Sequence, residues 1–425
     1  MLYLRKLEGI IFYTTIFAVS LQVGKHFWPN FAFINGIRLD YLSPTIYLSD
    51  LLIFLLFAFT LLFHKSVLLK GLSNSFIFIL FLFSLLLSSF LAKDPDISFF
   101  FSLRIIEMIF FGWYISQYKF SKISSNTLID VLLFSAVIQS IISFFQFLLQ
   151  RSINGPLYFL GERSFSVDTV GIATFFSQGN EILRPYGTFP HPNVLAFFLS
   201  IALILGASYI SIGKRTKRSY FYILFVFLIF LSLLLTASRL IIILTLISSA
   251  IVVIKSKKHM LYLALLGLIV VPLYLTIFSG RFLLLSSFIE ALKIRWELLT
   301  VNLQMFFTNP LFGVGINNTF LSNFNNTLPI FARFQPVHNV YIHILVQIGI
   351  FGIIPVIIFL EKIVIKMIKL VRNRRLFGFI ISLLILELLI VSFFDHFPIT
   401  LQQGMLMTAL LLGMLFNRFT EQELE

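Results

Sequence analysis

The sequence contains no cysteine and has only 18 Asp and Glu among its 425 residues. The absence of cysteine excludes disulfides, thiolate catalysis and cysteine-ligated metal sites. With 12% charged residues against 59% hydrophobic ones, the chain lacks the polar surface that a water-soluble protein of this length requires. A soluble multidomain protein is therefore excluded.

The chain instead contains long hydrophobic runs with few charged residues, and its mean hydropathy is +0.98. These runs predict an all-α polytopic membrane protein with about 12 transmembrane helices, since about 20 apolar residues cross the hydrocarbon layer. The runs lie near residues 9–23, 46–63, 75–92, 97–116, 127–150, 191–211, 219–236, 238–254, 260–278, 339–360, 376–393 and 399–416.

Lys and Arg outnumber Asp and Glu by 32 to 18. In a membrane protein this excess indicates topology, because basic loops resist translocation, and nucleic acid is not an expected partner. Most basic residues fall in connections on one face, including those at 213–218, 255–259 and 366–375. This distribution predicts that both termini are cytoplasmic, the N-in/C-in arrangement.

Two connections exceed ordinary loop length, residues 151–190 and 279–338, and both fall on the outer face of this topology. Long extracytoplasmic loops in a tightly connected bundle are where binding and catalysis are expected. Within the second loop, residues 291–307 follow helical spacing and predict an amphipathic helix along the membrane. We expect one integral membrane domain over residues 1–425.

Three of the helices predicted to run inward begin with basic or imidazole side chains. These are Arg184, His191 and Asn193 in "RPYGTFPHPN", Arg239 in "TASRL", and His338 and Asn339 in "PVHNVY". The first turn of a helix presents unsatisfied N–H groups and a partial positive charge, which suits an anion. Three such ends on one face predict a phosphate site at the outer membrane surface.

Each feature alone has a plainer explanation. An interfacial arginine commonly extends toward lipid headgroups, and a histidine at a helix start can be a solvated cap residue. The coincidence of three such ends on one face favours the anion site. His338 and His343 are five residues apart and so lie on different sides of a helix, which argues against a metal site. His343 instead shares a polar stripe with Asn339 and Gln347.

Other polar residues within or beside the spans are further candidates. Arg104 and Glu107 are three residues apart and are predicted to pair on one helix face. Glu387 lies alone in an apolar segment, and Asp395 and His396 form the outer turn "FFDHFP". Ionisable residues in such positions are functional or paired.

Four blocks, in this order, resemble the motifs of the O-antigen ligase and O-antigen polymerase superfamily of bacterial membrane glycosyltransferases. The blocks are "RPYGTFPHPNVLAFFLS", "LLLTASRLIIILTL", "RWELLTVNLQMFFTNPLFGVGINNTF" and "HNVYIHILVQIGIFGII", which lie within residues 180–360. The predicted number of spans agrees with the ligase branch. One departure is Gln347, whose position is often acidic in this superfamily.

The resemblance implies transfer of a glycan from an undecaprenyl-pyrophosphate carrier to an acceptor hydroxyl, at the periplasmic face of the bacterial inner membrane and without a metal or other cofactor. The acceptor is lipid A core in ligases, another carrier-linked glycan in polymerases, and a protein Ser or Thr in the related oligosaccharyltransferases. By motif position the functional residues are Arg184, Arg239 and His338.

Chemistry assigns roles to these residues. Departure of the carrier develops negative charge on phosphate oxygens, which Arg184 and Arg239 would stabilise. His338, as an imidazole that titrates near neutral pH, is the general-base candidate. Direct attack without a carboxylate nucleophile predicts inversion at the anomeric carbon. The residues assigned to substrate binding are His191, Asn193, Arg295 and Asn339.

A glycolipid transporter or flippase is the alternative from another class of protein. Many spans with intramembrane Arg104, Glu107 and Glu387 also suit alternating access. Transporters, however, place polar groups near the membrane midplane on broken helices. The polar groups of this sequence gather at outer helix ends and in long outer loops, which favours the enzyme.

Overall fold

The computed structural model describes residues 2–73, 76–117, 125–177, 179–212, 217–256, 285–323, 333–373 and 375–417. Within these ranges the chain is mostly helical. Its helices are α1 (Leu2–Ala18), α2 (Leu48–Phe63), α3 (Lys65–Ser73), α4 (Phe76–Phe90), α5 (Pro95–Gln117), α6 (Ser125–Leu149), α7 (Pro192–Ile212), α8 (Lys217–Leu235), α9 (Arg239–Ser256), α10 (Leu285–Thr308), α11 (Thr319–Asn323), α12 (Val340–Arg372), α13 (Leu376–Phe394), α14 (Phe397–Thr400) and α15 (Gln402–Phe416).

Most of the predicted apolar runs overlap helices, although α1 begins and ends earlier than the predicted run at 9–23. Among the described residues, five helices (α5, α6, α7, α12 and α13) are long and apolar enough to cross a membrane, and α2, α4, α8 and α15 are shorter apolar helices. Every predicted run has a helix in its place except 260–278, which lies outside the described residues. The prediction of a helical membrane protein is confirmed.

Helix α13 is central to the bundle. Its sequence is almost entirely Leu, Ile, Phe and Val, and a helix satisfies its own backbone where no water is present. Most of its side chains are buried, with Phe377, Ile381, Leu384 and Val391 each at most 2% exposed, and it contacts α7, α9, α12 and α15. Asp395, which follows α13, therefore lies at the end of a central helix.

Small residues bring α5 and α15 close together. A Cβ at Gly413 would lie 2.6 Å from Cβ of Ile115, and one at Gly112 would lie 3.1 Å from the carbonyl oxygen of Ala409. Helices in a membrane associate through close packing, because lipid tails are as apolar as their side chains. Glycine at these positions thus permits the contact between the two helices.

Among the described residues, three short antiparallel strand pairs depart from a purely helical fold. Strands β1 (Gly24–His26) and β4 (Thr45–Tyr47) pair, β2 (Phe33–Ile34) pairs with β3 (Ile37–Arg38), and β5 (Thr174–Ser177) pairs with β6 (Asn180–Leu183). The β2–β3 turn is Asn35-Gly36, both with positive φ, the sequence that a two-residue hairpin favours. All three strand pairs lie in connections between helices.

Helix α12 differs from its predicted bounds of 339–360 in two ways. It continues to Arg372, and it is interrupted at Gly349, where φ is 63° and ψ is −167°. Residues 310–315 form backbone hydrogen bonds with α12 on both sides of the interruption. Val314 N donates to Val346 O at 3.0 Å, and Ile350 N donates to Pro310 O at 2.9 Å. The backbone groups freed at the break are therefore bonded to this segment.

Two predictions about side chains have different outcomes. The amphipathic helix predicted at 291–307 lies within α10, with Leu298 buried and Ile294 and Val301 packed against it. The predicted pairing of Arg104 with Glu107 is wrong. Arg104 instead forms an ion pair with Asp50, Nη2 to Oδ2 at 3.2 Å, because the first turn of α2 lies beside α5.

Candidate functional site

Arg184 is anchored at the connection between α8 and α9. It is 4% exposed, and its Nε donates to Thr236 O at 2.7 Å. Its Nη2 donates to Asn193 Oδ1 at 2.8 Å and to Ser238 Oγ at 2.9 Å. The guanidinium therefore joins the start of α7 to the start of α9.

The segment that carries Arg184 is held by two glutamines of α6. Gln146 Oε1 accepts from Tyr186 N at 2.9 Å and Gly187 N at 2.8 Å, and Gln139 Oε1 accepts from Thr188 N at 3.0 Å. Residues seven apart lie on the same face of a helix. Gln139 and Gln146 thus fix the "RPYGTFP" backbone, which leads into α7 at Pro192.

Asn193 connects Arg184 to Asp395. Its Oδ1 accepts from Arg184 and, at 3.0 Å, from Ser238 Oγ, while its Nδ2 donates to Asp395 Oδ2 at 2.8 Å. These partners define the amide orientation, since a carboxylate accepts only and a guanidinium donates only. An arginine and a carboxylate are thereby linked through one amide.

Asp395 lies among three imidazoles. Its Oδ1 accepts from His396 N at 2.8 Å, and the imidazoles of His396, His338 and His191 lie close enough to influence its pKa. Burial raises the pKa of Asp395, but these imidazoles and the Asn193 hydrogen bond lower it by more. The net shift is downward, so Asp395 is ionised at neutral pH.

His338 and His396 form an edge-to-face pair with ring centroids 5.0 Å apart. Thr400 Oγ1 donates to His396 O at 3.0 Å and also lies 2.6 Å from His396 Nδ1. Because the hydroxyl has one hydrogen, Nδ1 of His396 is the donor in the second contact, and its Nε2 carries the lone pair. His338 Nδ1 is buried and has no hydrogen-bond partner among the described residues.

Burial lowers the pKa of His338, Asp395 raises it, and Arg295 lowers it, with a net downward shift. Burial also lowers the pKa of His396 well below its usual value, and Asp395 opposes this shift. Both imidazoles are therefore neutral at neutral pH. A neutral imidazole can accept a proton.

Arg184, Asn193, Ser238, His338, Asp395 and His396 are called the Asp395 cluster below. The other predicted site residues lie around it. His191 Nδ1 accepts from Asn193 N at 3.1 Å, and Arg239, partly exposed, is the first residue of α9. Asn339 caps α12, with Oδ1 accepting from Ile342 N at 3.0 Å, and its Nδ2 donates to Phe393 O at 3.2 Å. Arg295 lies in α10, near enough for its charge to act on His338.

The predicted polar stripe on α12 is also present. His343 and Gln347 are buried, and Gln347 Nε2 lies 2.7 Å from His343 Nε2. Their contact keeps both side chains inside the bundle. Among the described residues, no group of three or more His, Asp or Glu is arranged to hold a metal ion.

Asp395 and His396 form part of the candidate site. The sequence indicated them only as further candidates, whereas the structure places them in contact with Asn193 and His338. Tyr41 lies edge-on to His396, with ring centroids 5.9 Å apart. Nothing in the sequence indicated this contact. The available signal for Asp395 was two adjacent ionisable residues in a short turn between apolar spans.

The fold and this geometry define a class, an α-helical membrane protein with a buried polar cluster where several of its helices begin or end. Residues 224–357, just under a third of the chain, match the family described as O-antigen ligase. The resemblance to the O-antigen ligase superfamily is confirmed by this match, and the ligase branch is consistent with it. No curated protein matches the chain.

Proposed function

We propose that this protein is a membrane glycosyltransferase of the O-antigen ligase type. It moves a glycan from undecaprenyl pyrophosphate to an acceptor hydroxyl, most simply on lipid A core. The observation that carries the proposal is the Asp395 cluster, in which a neutral imidazole, a carboxylate and an arginine meet at the starts of α7 and α9. The family match over residues 224–357 supports the same activity.

The leaving pyrophosphate is assigned to Arg239 and the start of α9. Arg239 is partly exposed at the first helical position, where backbone N–H groups and the helix dipole also favour an anion. Arg184 is buried and bonded to Thr236, Asn193 and Ser238, so it holds the start of α9 in position. Its positive charge still lowers the energy of a nearby developing anion.

His338 is assigned as the base. The acceptor hydroxyl gives its proton to the neutral imidazole as its oxygen attacks the anomeric carbon, and the bond from that carbon to the pyrophosphate oxygen breaks. The pair of electrons leaves with the pyrophosphate, so the product is inverted and no metal or cofactor takes part. Asp395, ionised and close to His338, stabilises the imidazolium that forms.

His191, Asn193, Arg295 and Asn339 are placed next to the substrates. His191 and Asn193 are bonded to each other at the start of α7, and Asn339 lies beside His338. Arg295 comes from α10, which packs against α12, and would contact an anionic part of a substrate. Asn193 also keeps Asp395 in position.

An O-antigen polymerase and a protein O-oligosaccharyltransferase are alternatives with the same donor chemistry. They differ in the acceptor, which no side chain of the Asp395 cluster specifies. A transporter or flippase is favoured by intramembrane Arg104, Glu107 and Glu387 and by the break in α12, since transporters use broken helices. In this chain the freed backbone groups bond to residues 310–315, and Ser88 Oγ donates to Gln347 O at 2.7 Å. These backbone groups are therefore not available to coordinate a transported ion.

The location follows the same proposal. About twelve spans, N-in/C-in, would form one domain in the bacterial inner membrane and place the Asp395 cluster at the periplasmic face. Residues 151–190 and 279–338 would then be the two long outer loops. The first loop contains Arg184 and the segment that leads to α7. The second loop contains α10, which includes Arg295.

Purified protein in liposomes tests the activity. Undecaprenyl-pyrophosphate glycan is supplied with lipid A core, with a second carrier-linked glycan, or with a Ser/Thr peptide, and the product is followed by mass spectrometry. We expect product with one acceptor class, and a loss of about 10²–10³-fold in Arg239→Ala, the usual cost of losing one charge-stabilising donor. No product with any acceptor, together with glycolipid crossing the bilayer, would favour the transporter.

A further inference from the structure

The first long connection carries an apolar tip that the proposed reaction does not use. Residues 155–160, "GPLYFL", form a short 3₁₀ turn, which residues 150–154 connect to the end of α6. Tyr158 is 66% exposed, Phe159 77% and Leu160 37%. We call residues 155–160 the aromatic tip.

The base of the aromatic tip is held rigidly by a buried carboxylate. Glu162 is 3% exposed, and its Oε1 accepts from Gln146 Nε2 and Ile153 N, both at 2.8 Å. Its Oε2 accepts from Asn154 N at 2.7 Å. These hydrogen bonds tie the backbone on both sides of the tip to Gln146 of α6.

A close backbone contact completes this base. Gly161 has φ +94°, and a Cβ there would lie 2.4 Å from the carbonyl carbon of Gln22. The end of the tip therefore rests on the segment that follows α1. The exposed aromatics are presented by a defined structure and not by a loose loop.

The end of α6, which precedes the tip in the chain, carries an exposed apolar face. Phe144, Phe145, Leu148 and Leu149 of α6 are each 48–60% exposed, and residues 150–154 connect them to the tip. An apolar face on a helix that crosses a membrane contacts acyl chains. Tyr and Phe immediately beyond such a face suit the boundary of headgroups and acyl chains, where aromatic rings collect.

We propose that the aromatic tip inserts into the membrane interface at this end of the bundle. The tip follows the exposed apolar face of α6 within a few residues along the chain, its rings are exposed, and the carboxylate at its base is buried. Insertion holds the connection 151–190, and with it the backbone that carries Arg184, at a defined height over the bilayer. The proposal does not depend on which reaction the protein catalyses.

The absence of cysteine allows a direct test in the full chain. Phe159→Cys carries a nitroxide label in proteoliposomes, and collision with oxygen, which concentrates in lipid, is compared with collision with a water-soluble nickel chelate. Phe144→Cys is the lipid control. Val170→Cys is the water control, since Val170 is 100% exposed in a polar turn of the same connection.

We expect the logarithm of the oxygen-to-nickel accessibility ratio to be positive for Phe159 and Phe144 and negative for Val170. Tyr158→Cys repeats the measurement at a neighbouring exposed position. A ratio for both tip positions like that of Val170 overturns the proposal, because the tip then lies in water. Shielding of both positions from both reagents also overturns it, since the tip would then be covered by protein.

Discussion

Asn193 joins two charges of opposite sign at the start of α7. Its carbonyl oxygen accepts from Arg184 and its amide nitrogen donates to Asp395 at 2.8 Å. An aspartate at this position would place two carboxylates in contact, and an alanine would leave buried donors unsatisfied. The amide is therefore the side chain that satisfies both neighbours.

The first prediction concerns His338. His338→Gln removes the candidate base and keeps a polar side chain, so transfer should fall by about 10²–10⁴-fold, the usual contribution of a positioned base. His64→Gln is the matched control, because His64 follows α2 and contacts Glu8, far along the chain from the Asp395 cluster. Initial rates with saturating donor compare the two. Equal rates would remove His338 from the reaction.

The second prediction concerns pH. Burial and Arg295 outweigh Asp395 and hold the pKa of His338 below its usual value of about 6.5. The neutral, active form of the base therefore persists below the usual pKa of histidine, down to the lowered pKa of His338. The value of kcat/KM should fall only when the pH drops below this lowered pKa. Arg295→Gln removes a charge that lowers this pKa, so the pKa rises and the fall begins at a higher pH. An acidic limb that stays in place or moves to lower pH contradicts this assignment.

At the scale of elements, the break in α12 is a joint between two segments. Gly349 has φ 63°, and residues 310–315 pair with the backbone on both sides of it. Gly315 fits against Ala92, at the end of α4, where a Cβ would lie 2.3 Å from the alanine Cβ. The joint therefore locks α12, the "NPLFGVG" segment and the α4–α5 turn together.

The third prediction tests this joint. In Gly349→Ala the left-handed backbone costs about 1–3 kcal/mol, and the new Cβ would also lie 2.4 Å from Leu311 O. Gly36→Ala is the matched control, because Gly36 has φ +78° but no atom within 4 Å of the new Cβ. Thermal unfolding in detergent should show a larger fall in midpoint for Gly349→Ala. Equal falls would mean that the contact with Leu311 contributes nothing.

At the scale of the whole molecule, the Asp395 cluster is assembled from distant parts of the chain. Ser238 and His338 lie within the matched region 224–357, whereas Arg184 and Asn193 precede it and Asp395 and His396 follow it. The family match therefore covers one part of the cluster, and helix packing adds the rest. Contacts of α13 with α7, α9 and α12 bring these parts together.

The fourth prediction tests the topology. Val170→Cys lies in the connection that leads to Arg184, and Asn373→Cys lies at the far end of α12, with both side chains exposed. If the Asp395 cluster faces the periplasm, a membrane-impermeant maleimide added to spheroplasts should label Val170→Cys and leave Asn373→Cys unlabelled until the membrane is permeabilised. The reverse pattern would place the cluster at the cytoplasmic face.

The helices themselves could be predicted from the sequence, because an apolar run of sufficient length has no other stable form in a membrane. The predicted run at 376–393 and the observed α13 at Leu376–Phe394 agree almost residue for residue. Helix starts marked by proline or a capping side chain were also predictable, as at Pro192 and Asn339. These features depend on local chemistry alone.

Tertiary structure alone decided which polar groups meet. Arg104 pairs with Asp50 of another helix and not with Glu107 on its own, and Asp395 is joined to Asn193 across the bundle. The break at Gly349 could not be predicted from the pattern of residues 339–360, because its backbone is bonded to residues 310–315, which lie in another segment of the chain. Spacing along one chain determines which face a side chain occupies, whereas packing between helices determines what that face contacts.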